Sequence, residues 1–531
     1  MSETFYPARP AGLPPLSFGR VNDGRPITSK TLLFRLPIEL VHEVVAYLDT
    51  ADLQSLALVD RDCRQLARSR LFTSVVVGYI GGPRALLDNL SHHGAQSRRE
   101  NGGVTEGPSI GACIRRVTVA KCPRESSCRR MSSPTDVSPC KKEKCSNHDS
   151  GLYLQDIAEA LRFSLPNLDD FVWEDRVKFP QHILMAIASS PIRHLGLRVL
   201  LSPDCEYQLP PPEQQRWALR SLDLGGVLYP RAERRDRDVS KFCFTILKAA
   251  APTLERLSWR DYQGIKLSFG TSAIRFPKLR TILLDTNSIP DDTVLELFFP
   301  PDVENCVVLS VSIKIPSPQT LESLAQRGHI RRLESLCLDS INLPRAVRST
   351  DAVFLSANPQ LKSLTLRMHT PEQLASTLLP LPAPEFEFLT TLAVAFTLYE
   401  KEEFSRLLAA ISRLTTLTSL WIAAGIRHDW TADVPTTTAV LSPLRNLTRL
   451  ALARSYTAVA FHTGRPRSRT KRRVQDAVQL YAKAFRELRW VYCGELVYRV
   501  TRDMVMLDEE GLPGYSYFSP ERLWKNPDWP E

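Results

Sequence analysis

Four cysteines and one histidine in a short segment have the side chains best suited to holding a metal ion. Cys122, Cys128, Cys140, Cys145 and His148 supply thiolate and imidazole groups, the ligands that zinc prefers. Five, eleven and four residues separate successive cysteines, which differs from the two-residue pairs of strong zinc motifs. Because the segment is also rich in Ser, Pro, Lys and Arg, we interpret residues 121–150 as a disordered surface insertion, and zinc held by the four cysteines is the alternative.

Known catalytic motifs do not occur in this chain with the spacing that they need. The pair His42-Glu43 begins like the helix of a zinc peptidase, but Ala46 stands where the second histidine ligand is required. The sequence also lacks a Gly-x-Ser-x-Gly motif and a Gly-rich phosphate loop that ends in Lys. It therefore predicts a protein that is not an enzyme and needs no cofactor.

A dense basic run lies near the carboxyl terminus. Its members are Arg465, Arg467, Arg469, Lys471, Arg472 and Arg473. We interpret residues 455–475 as a solvated basic loop, and a nuclear-import signal or a contact to an acidic partner are the alternatives. The net charge of +10 is modest for 531 residues, and no aromatic residues interleave with a basic stripe, so nucleic acid is not an expected partner.

Two short amphipathic helices are predicted within residues 33–75. Apolar residues at 36, 40, 41, 44, 45 and 48 follow helical spacing, and a second set at 53, 56, 58, 59, 63 and 66 follows a turn. Leu36-Pro37 opens the first helix, and Asp49 with Asp52 offers N-cap chemistry for the next. So few residues bury too little apolar surface to fold alone, and the segment's apolar surface is a candidate docking face.

The order of residues in this segment resembles the F-box family. The positions that match the family pattern are Leu36, Pro37, Glu39, Leu40, Val44, Leu48, Asp52, Leu53, Val59, Arg61, Cys63 and Arg64. The aromatic residue that many members carry near the Cys-Arg pair is absent, since Gln65 and Leu66 occupy that neighbourhood. The resemblance implies a docking module for a Skp-type adaptor, which would link the chain to a cullin-based ubiquitin ligase. The residues assigned to adaptor binding are Leu36, Pro37, Glu39, Leu40, Val44, Leu48, Leu53, Leu56 and Val59.

A leucine-rich pattern repeats along most of the remaining chain. Eight clear copies of apolar-x-x-apolar-x-apolar begin at residues 219, 254, 279, 333, 361, 389, 417 and 447, and weaker copies begin at 114, 168, 192, 306 and 488. From residue 254 to 447 the starts are 25 to 30 residues apart. Each motif ends in a short strand, and helical stretches such as the one from Phe404 to Ile411 lie between motifs, so stacked repeats would share one core.

This pattern resembles the leucine-rich-repeat family over roughly residues 110–500. The resemblance implies an α/β fold in which a parallel sheet lines the concave side and helices lie on the convex side. The Asn that members often carry after the motif occurs only at Asn287, so the repeats are irregular. An open doubly wound sheet is the alternative, although the even spacing and the lack of a glycine-rich phosphate turn argue against it.

Residues between the inward-facing ones of each strand are expected on the concave side. The candidate client-binding residues are Arg256, Arg260, Asp285, Asp339, Arg367, Phe396, Trp421 and Trp490. In the later repeats, small residues frame Phe396, Trp421 and Trp490, which predicts an apolar pocket. The alternative is that Trp421 or Trp490 packs beneath a loop or beneath the aromatic-rich tail.

Composition and the two ends of the chain complete the prediction. Residues 1–30 are rich in Pro, Gly and polar residues and are expected to be disordered, and residues 501–531 are expected to form a terminal cap. No apolar run is long enough to cross a bilayer. Most cysteines are scattered singly at apolar positions, which favours a cytoplasmic or nuclear location.

Two hypotheses for function follow from the sequence. In the first, the chain is the substrate-recognition subunit of a cullin-based ubiquitin ligase: the F-box docks the Skp-type adaptor and the repeats bind an unknown client protein. In the second, the chain is a protein-interaction scaffold that does not target clients for degradation.

Overall fold

A computed structural model gives the architecture, and its described residues divide into two compact units, one within residues 12–278 and the other within residues 279–531. The structure describes residues 17–22, 24–79, 81–99, 109–120, 147–175, 179–199, 201, 207–224, 237–260, 274, 276–285, 309–314, 322, 324–326, 329–330, 332–339, 349–381, 385–398, 400–424, 430, 434–454, 468–493, 496–501 and 505–507. None of the helices within these ranges is both long and apolar enough to cross a membrane.

The first unit begins with a small helical domain. Its helices are α1 (Phe18–Val21), a 3₁₀ turn (Leu32–Arg35), α2 (Ile38–Tyr47), α3 (Thr50–Leu56) and α4 (Arg61–Leu71). The side chain of Asp49 caps α3 by accepting the N–H of Asp52, as expected. Asp60 caps α4 in the same way by accepting the N–H of Cys63 at 2.7 Å. The second predicted helix is therefore two helices, because Asp60 interrupts it.

The core of this domain includes a residue from the segment that precedes it. Phe18 is buried with Val41, Val45, Leu53, Leu66 and Ala67, and its ring lies 5.2 Å from that of Phe34. The expectation of disorder for residues 1–30 thus fails for the described part, since α1 packs into the helical core. Residues 1–16 lie outside the described residues.

Six parallel strands complete the first unit. They are β1 (Ser74–Val77), β2 (Arg116–Val119), β3 (Asp170–Trp173), β4 (His194–Leu197), β5 (Ser221–Leu224) and β6 (Arg256–Arg260). The helices between them are α5 (Gly81–Arg99), α6 (Asn147–Phe163), α7 (Gln181–Ala188) and α8 (Arg237–Ala250), with 3₁₀ turns at Ile110–Cys113 and Pro212–Gln214. Each strand pairs with the next one along the chain.

The second unit has the same arrangement of strands and helices and ends in two antiparallel strands. Its strands are β7 (Thr281–Asp285), β8 (Ser310–Lys314), β9 (Ser335–Asp339), β10 (Ser363–Met368), β11 (Thr391–Phe396), β12 (Ser419–Ala424), β13 (Arg449–Arg454), β14 (Trp490–Cys493), β15 (Leu496–Val500) and β16 (Val505–Leu507). The helices with described bounds are α9 (Ser349–Ser356), α10 (Pro371–Leu378), α11 (Lys401–Ser412), α12 (Val434–Leu441) and α13 (Ser468–Ala484). Strands β7 to β14 are parallel, whereas β15 and β16 pair in antiparallel fashion.

The predicted repeat register is confirmed for twelve of the thirteen motif copies. In these, equivalent apolar residues of neighbouring strands pair within each unit, as Leu336 with Leu364 and Leu338 with Leu366. The copy that begins at residue 306 is two residues out of register, because Val311 and Ile313 of β8 pair with Leu336 and Leu338. Within each unit the described pairings run strictly between consecutive strands, which excludes the reversal of strand order in a doubly wound sheet. The fold is thus a helical amino-terminal domain followed by leucine-rich-repeat-type α/β units.

Three boundaries differ from the prediction. The sheet begins at Ser74, before the predicted start at residue 110. The prediction missed this strand because Val75 and Val77 alternate along it without the leucine motif. The basic run is not entirely a loop, since α13 begins at Ser468 and includes Lys471, Arg472 and Arg473. Strands β15 and β16 extend the sheet at its carboxyl edge, and the aromatic tail beyond residue 507 lies outside the described residues.

Candidate functional site

Helix α2 carries apolar side chains on two sides, and this double pattern defines the first candidate site. Val41 and Val45, four residues apart, are buried in the helical core. Leu40 and Val44, each one position earlier, are 47% and 44% exposed. Because residues four apart lie on the same side of a helix, α2 presents one apolar stripe to its own core and a second stripe to solvent. An exposed apolar stripe of this kind is a candidate interaction surface.

The exposed stripe extends beyond Leu40 and Val44. Leu36, before the helix, is 44% exposed, and Tyr47 at its end is 84% exposed. We call Leu36, Leu40, Val44 and Tyr47 the docking face. Leu32, Leu58 and the predicted Val59 are further exposed apolar residues of the same domain. Tyr47, Leu32 and Leu58 are not among the predicted adaptor-binding residues, and their exposure makes them further candidates for that role.

The other predicted adaptor residues occupy different environments. Pro37 is the N-cap residue of α2 and Glu39 lies in its first turn, and both are exposed. Leu48 and Leu56 are partly buried and pack against the helical core. Leu53 is only 4% exposed and belongs to that core, so we correct its role from partner contact to packing.

Two carboxylates of the helical domain hold the segment that precedes it. Asp62, which is buried, accepts the backbone N–H groups of Thr28 and Ser29 at 2.5 and 2.6 Å. The hydroxyl of Ser29 donates a short hydrogen bond to Asp60. Burial raises the pKa of Asp60, but hydrogen bonds from the Cys63 N–H and the Ser29 hydroxyl outweigh it, so the pKa lies below its ordinary value.

Gln65 joins this segment and the first repeat to the helical domain. Its side-chain amide is buried and donates to the carbonyl of Val21 at 2.7 Å and to that of Ser109 at 3.1 Å, and it also lies 3.1 Å from Cys113 Sγ. Gln65, which lies where many F-box proteins carry an aromatic residue, thus connects three chain segments through its side-chain amide.

The sheet face opposite the helices is the second candidate site, and in the second unit Asp339 and Arg367, which have opposite charges, lie side by side on it. Asp285, Lys314, Asp339 and Arg367 occupy one row of register across β7 to β10. Arg367 and Asp339 form an ion pair at 3.1 Å and are largely buried, with side chains 16% and 10% exposed. Two of the predicted client-binding residues therefore neutralise each other.

From β11 onward the same face is apolar. Ala393, Ala395, Trp421, Ala423, Ala451, Ala453, Trp490 and Tyr492 form one buried cluster, which we call the strand-face cluster. The ring of Trp421 stacks 6.2 Å from that of Tyr492, and the guanidinium of Arg499 lies 5.7 Å from the ring centre of Trp490. Trp421 and Trp490 lie together in this cluster and are 1% and 7% exposed, so they are packed and do not line an open pocket.

Phe396 lies on the other face of the sheet, which corrects its assignment to the client site. It is fully buried, and its ring lies 6.0 Å from that of Phe404 on α11. Leu392, Val394 and Phe396 are two residues apart along β11 and share the helix-facing side, because side chains alternate along a strand.

The first unit carries the remaining predicted client residues. Arg256 begins β6 in register with Ser221 of β5, and Arg260 ends β6. In the same row, Arg116 binds Asp170 at 2.6 Å, and His194 lies next to Asp170. Burial lowers the pKa of His194, and the carboxylates of Asp170 and Asp169 oppose that shift.

No group of His, Cys, Asp or Glu among the described residues is arranged to hold a metal ion. The four cysteines of the zinc alternative lie at positions outside the described residues, and so do Arg465 and Arg467 of the basic run.

Comparison with known families identifies the helical domain. Residues 33–74 match the F-box domain, which agrees with the predicted boundaries of 33–75. F-box domains are docking modules for Skp-type adaptors. Comparison with curated proteins returns no match.

Two solved structures are similar to the repeats. The leucine-rich repeat-containing protein LegL7 from Legionella pneumophila has 12% identity and a TM-score of 0.33, and the similarity covers 64% of this chain and 86% of that one. A structure of the TLR13–ssRNA13 complex has 15% identity and a TM-score of 0.24, and covers 64% of this chain and 55% of that one. Neither TM-score supports an argument about function.

Proposed function

We propose that this protein is the substrate receptor of a cullin-based ubiquitin ligase. The F-box would dock a Skp-type adaptor, the adaptor would join the cullin scaffold, and the repeat units would hold a client protein. The observation that carries the proposal is the docking face: an F-box domain whose first long helix keeps a second apolar stripe in solvent. Contiguous exposed apolar side chains of this kind are typical of protein interfaces.

The proposed mechanism is proximity, with no chemistry on this chain. Holding a client near a charged conjugating enzyme raises the effective concentration of the client's lysine side chains. The thioester chemistry would take place on other subunits, as is general for F-box proteins with repeats. We place the client on the strand face outside the strand-face cluster, where neighbouring strands carry polar residues such as Ser335, Ser363 and Thr365.

Adaptor binding is tested by replacing three residues of the docking face. We expect Leu36→Ala, Leu40→Ala and Val44→Ala together to weaken binding of a purified Skp-type adaptor by at least about 100-fold, because buried anchors dominate interface energies. The matched control replaces three equally exposed apolar residues outside the F-box: Leu152, Val353 and Leu480. Equal adaptor affinity in both triple variants would contradict the proposed docking face.

Capture of complexes from cells, with the proteasome blocked, distinguishes a ligase role from a scaffold role. Complexes assembled on the wild-type chain should contain the cullin, and blocking the proteasome should enrich ubiquitinated clients that the docking-face variant fails to enrich. A wild-type chain that captures adaptor and clients but yields no ubiquitinated client would favour the non-degradative scaffold.

A further inference from the structure

The segment before the F-box is anchored at both of its ends. We define the latch as residues 17–22 and 24–31. At one end, Phe18 inserts into the F-box core and Arg20 donates to the side chain of Asn167 at 3.1 Å. At the other end, Asp62 accepts three hydrogen bonds from Thr28 and Ser29, two from backbone N–H groups and one from the Thr28 hydroxyl at 3.1 Å. The latch is therefore joined both to the F-box and to the first repeat.

Carboxylates receive the hydrogen bonds at the second end. Ser29 Oγ donates to Asp60 and accepts the N–H of Thr31 at 3.2 Å. Asp60 also caps α4 through the N–H of Cys63. Two negative charges thus converge on one serine hydroxyl and the amides beside it, and this arrangement is stable only while the serine remains neutral.

The surroundings of Ser29 suit a modifying enzyme. Ser29 is half-buried, its neighbours Thr28 and Lys30 are exposed, and residues 25–30 are neither helix nor strand. Basic residues flank the site, with Arg25 four positions before it and Lys30 directly after it. Because residues 25–30 have no helix or strand to unwind, a protein kinase would bind this basic segment once Ser29 Oγ leaves Asp60.

We propose that Ser29 is a phosphorylation site whose modification releases the latch. A kinase would transfer the terminal phosphoryl group of a nucleoside triphosphate to Ser29 Oγ. The new Oγ–P bond forms as the bond from that phosphorus to the bridging oxygen breaks, the hydroxyl proton leaves to a base, and the nucleoside diphosphate departs. The product carries close to two negative charges and has lost the hydrogen that bound Asp60.

Release follows from like-charge repulsion. The phosphate would lie beside the carboxylates of Asp60 and Asp62, which accept hydrogen bonds from the same short segment. Moving the latch away removes that repulsion, frees the N–H groups of Thr28 and Ser29, and withdraws Phe18 from the F-box core. A second consequence rests on the proposed function: an F-box that has lost part of its core should bind the adaptor less tightly.

The test uses the full chain with phosphoserine installed at position 29. The control carries phosphoserine at Ser442, an exposed serine of the second unit, and Ser29→Ala removes the Asp60 bond without adding charge. In hydrogen exchange we expect the amides of Thr28 and Ser29 to exchange at least about tenfold faster with phosphate at 29, and unchanged with phosphate at 442. Equal protection with and without phosphate at 29 would overturn the proposal, as would a peptide covering residue 29 that carries no phosphate when the chain is isolated from its own cells with phosphatases inhibited.

Adaptor affinity is measured on the same proteins. We expect phosphate at 29 to weaken adaptor binding at least about fivefold relative to the Ser442 control. If the latch opens but affinity is unchanged, control of docking is refuted. If the unmodified chain does not bind the adaptor at all, the proposed function fails, while the exchange result still decides the latch.

Discussion

Individual buried polar residues carry the sharpest tests of this structure, and Asp351 is the first. It lies in the first turn of α9, is 4% exposed, and its Oδ1 accepts no hydrogen bond from any described group. Burial raises the pKa of Asp351 to about 7 from an ordinary value of 3.8. The folded protein therefore holds a proton that the unfolded chain releases, and stability falls as the pH rises from about 4 to about 7.

We expect Asp351→Asn to stabilise the protein at pH 8 by about 1–3 kcal/mol, because it removes a buried charge, and to have little effect at pH 4. Thermal unfolding measured from pH 4 to pH 8 checks this. The matched control is Asp476→Asn on the exposed side of α13, which should change the stability at pH 8 by less than about 0.5 kcal/mol. A pH profile of Asp351→Asn that parallels the wild-type profile would refute the buried charge.

Gln65 allows a second test at the residue scale. Replacing it with Leu keeps the volume similar but leaves the carbonyls of Val21 and Ser109 without the amide donor. We expect Gln65→Leu to lower the free energy of unfolding by about 1–3 kcal/mol, because buried acceptors lose a partner. Gln54→Leu, on the exposed side of α3, should change it by less than about 0.5 kcal/mol. Chemical denaturation of both variants decides the matter, and equal midpoints would mean that Gln65 is not a junction.

At the scale of elements, the contact between the turn Ile110–Cys113 and the end of α6 tolerates no side chain. A Cβ on Gly111 would overlap the backbone carbonyl oxygen of Ser164, so the backbone would have to move. We expect Gly111→Ala to destabilise the first unit by at least about 2 kcal/mol. Gly151→Ala, within α6 and facing open space, should instead stabilise by up to about 1 kcal/mol. Calorimetry of the two variants checks the opposite signs, and a neutral Gly111→Ala would show that the turn is loosely packed.

The elements also show why some of the fold was predictable and some was not. The inward leucines of the repeats follow from period two along each strand, so twelve of the thirteen motif copies gave strands in register. The copy at residue 306 missed by two residues, because Leu309 and Val311 have the same spacing as the true inward pair, Val311 and Ile313. Strand β1 was missed because Ser74–Val77 has no leucine motif and is placed only by its pairing with β2. The apolar residues of α2 were recognised, but their division between Val41 and Val45 inside and Leu40 and Val44 outside depends on α4 and on Phe18. Sequence spacing alone does not say which side a neighbour covers.

On the scale of the whole molecule, adaptor docking and the strand-face cluster belong to different units. The docking face lies within Gly12–Lys278, whereas Trp421 lies within Leu279–Glu531. The predicted pocket at Trp421 could not be distinguished from a packed cluster by sequence, because alternation along a strand gives a side chain's face but not what covers it. Experiment can separate the packed cluster from the pocket, since a packed tryptophan stabilises its own unit and need not affect an interface that belongs to the other unit.

We expect Trp421→Ala to destabilise the second unit by about 3–5 kcal/mol, because it removes a large, almost fully buried side chain, and to leave adaptor affinity within about twofold of wild type. Hydrogen exchange of residues 391–454 compared with residues 38–71 reports the two stabilities, and titration with the adaptor reports the affinity.

Phe388→Ala, which truncates an aromatic side chain that is 52% exposed in the same unit, is the control and should leave both quantities near their wild-type values. Faster exchange confined to the second unit fits a packed cluster. Unchanged exchange together with lost client binding would instead restore the pocket, and a large loss of adaptor affinity would show that the F-box is not energetically independent of the second unit.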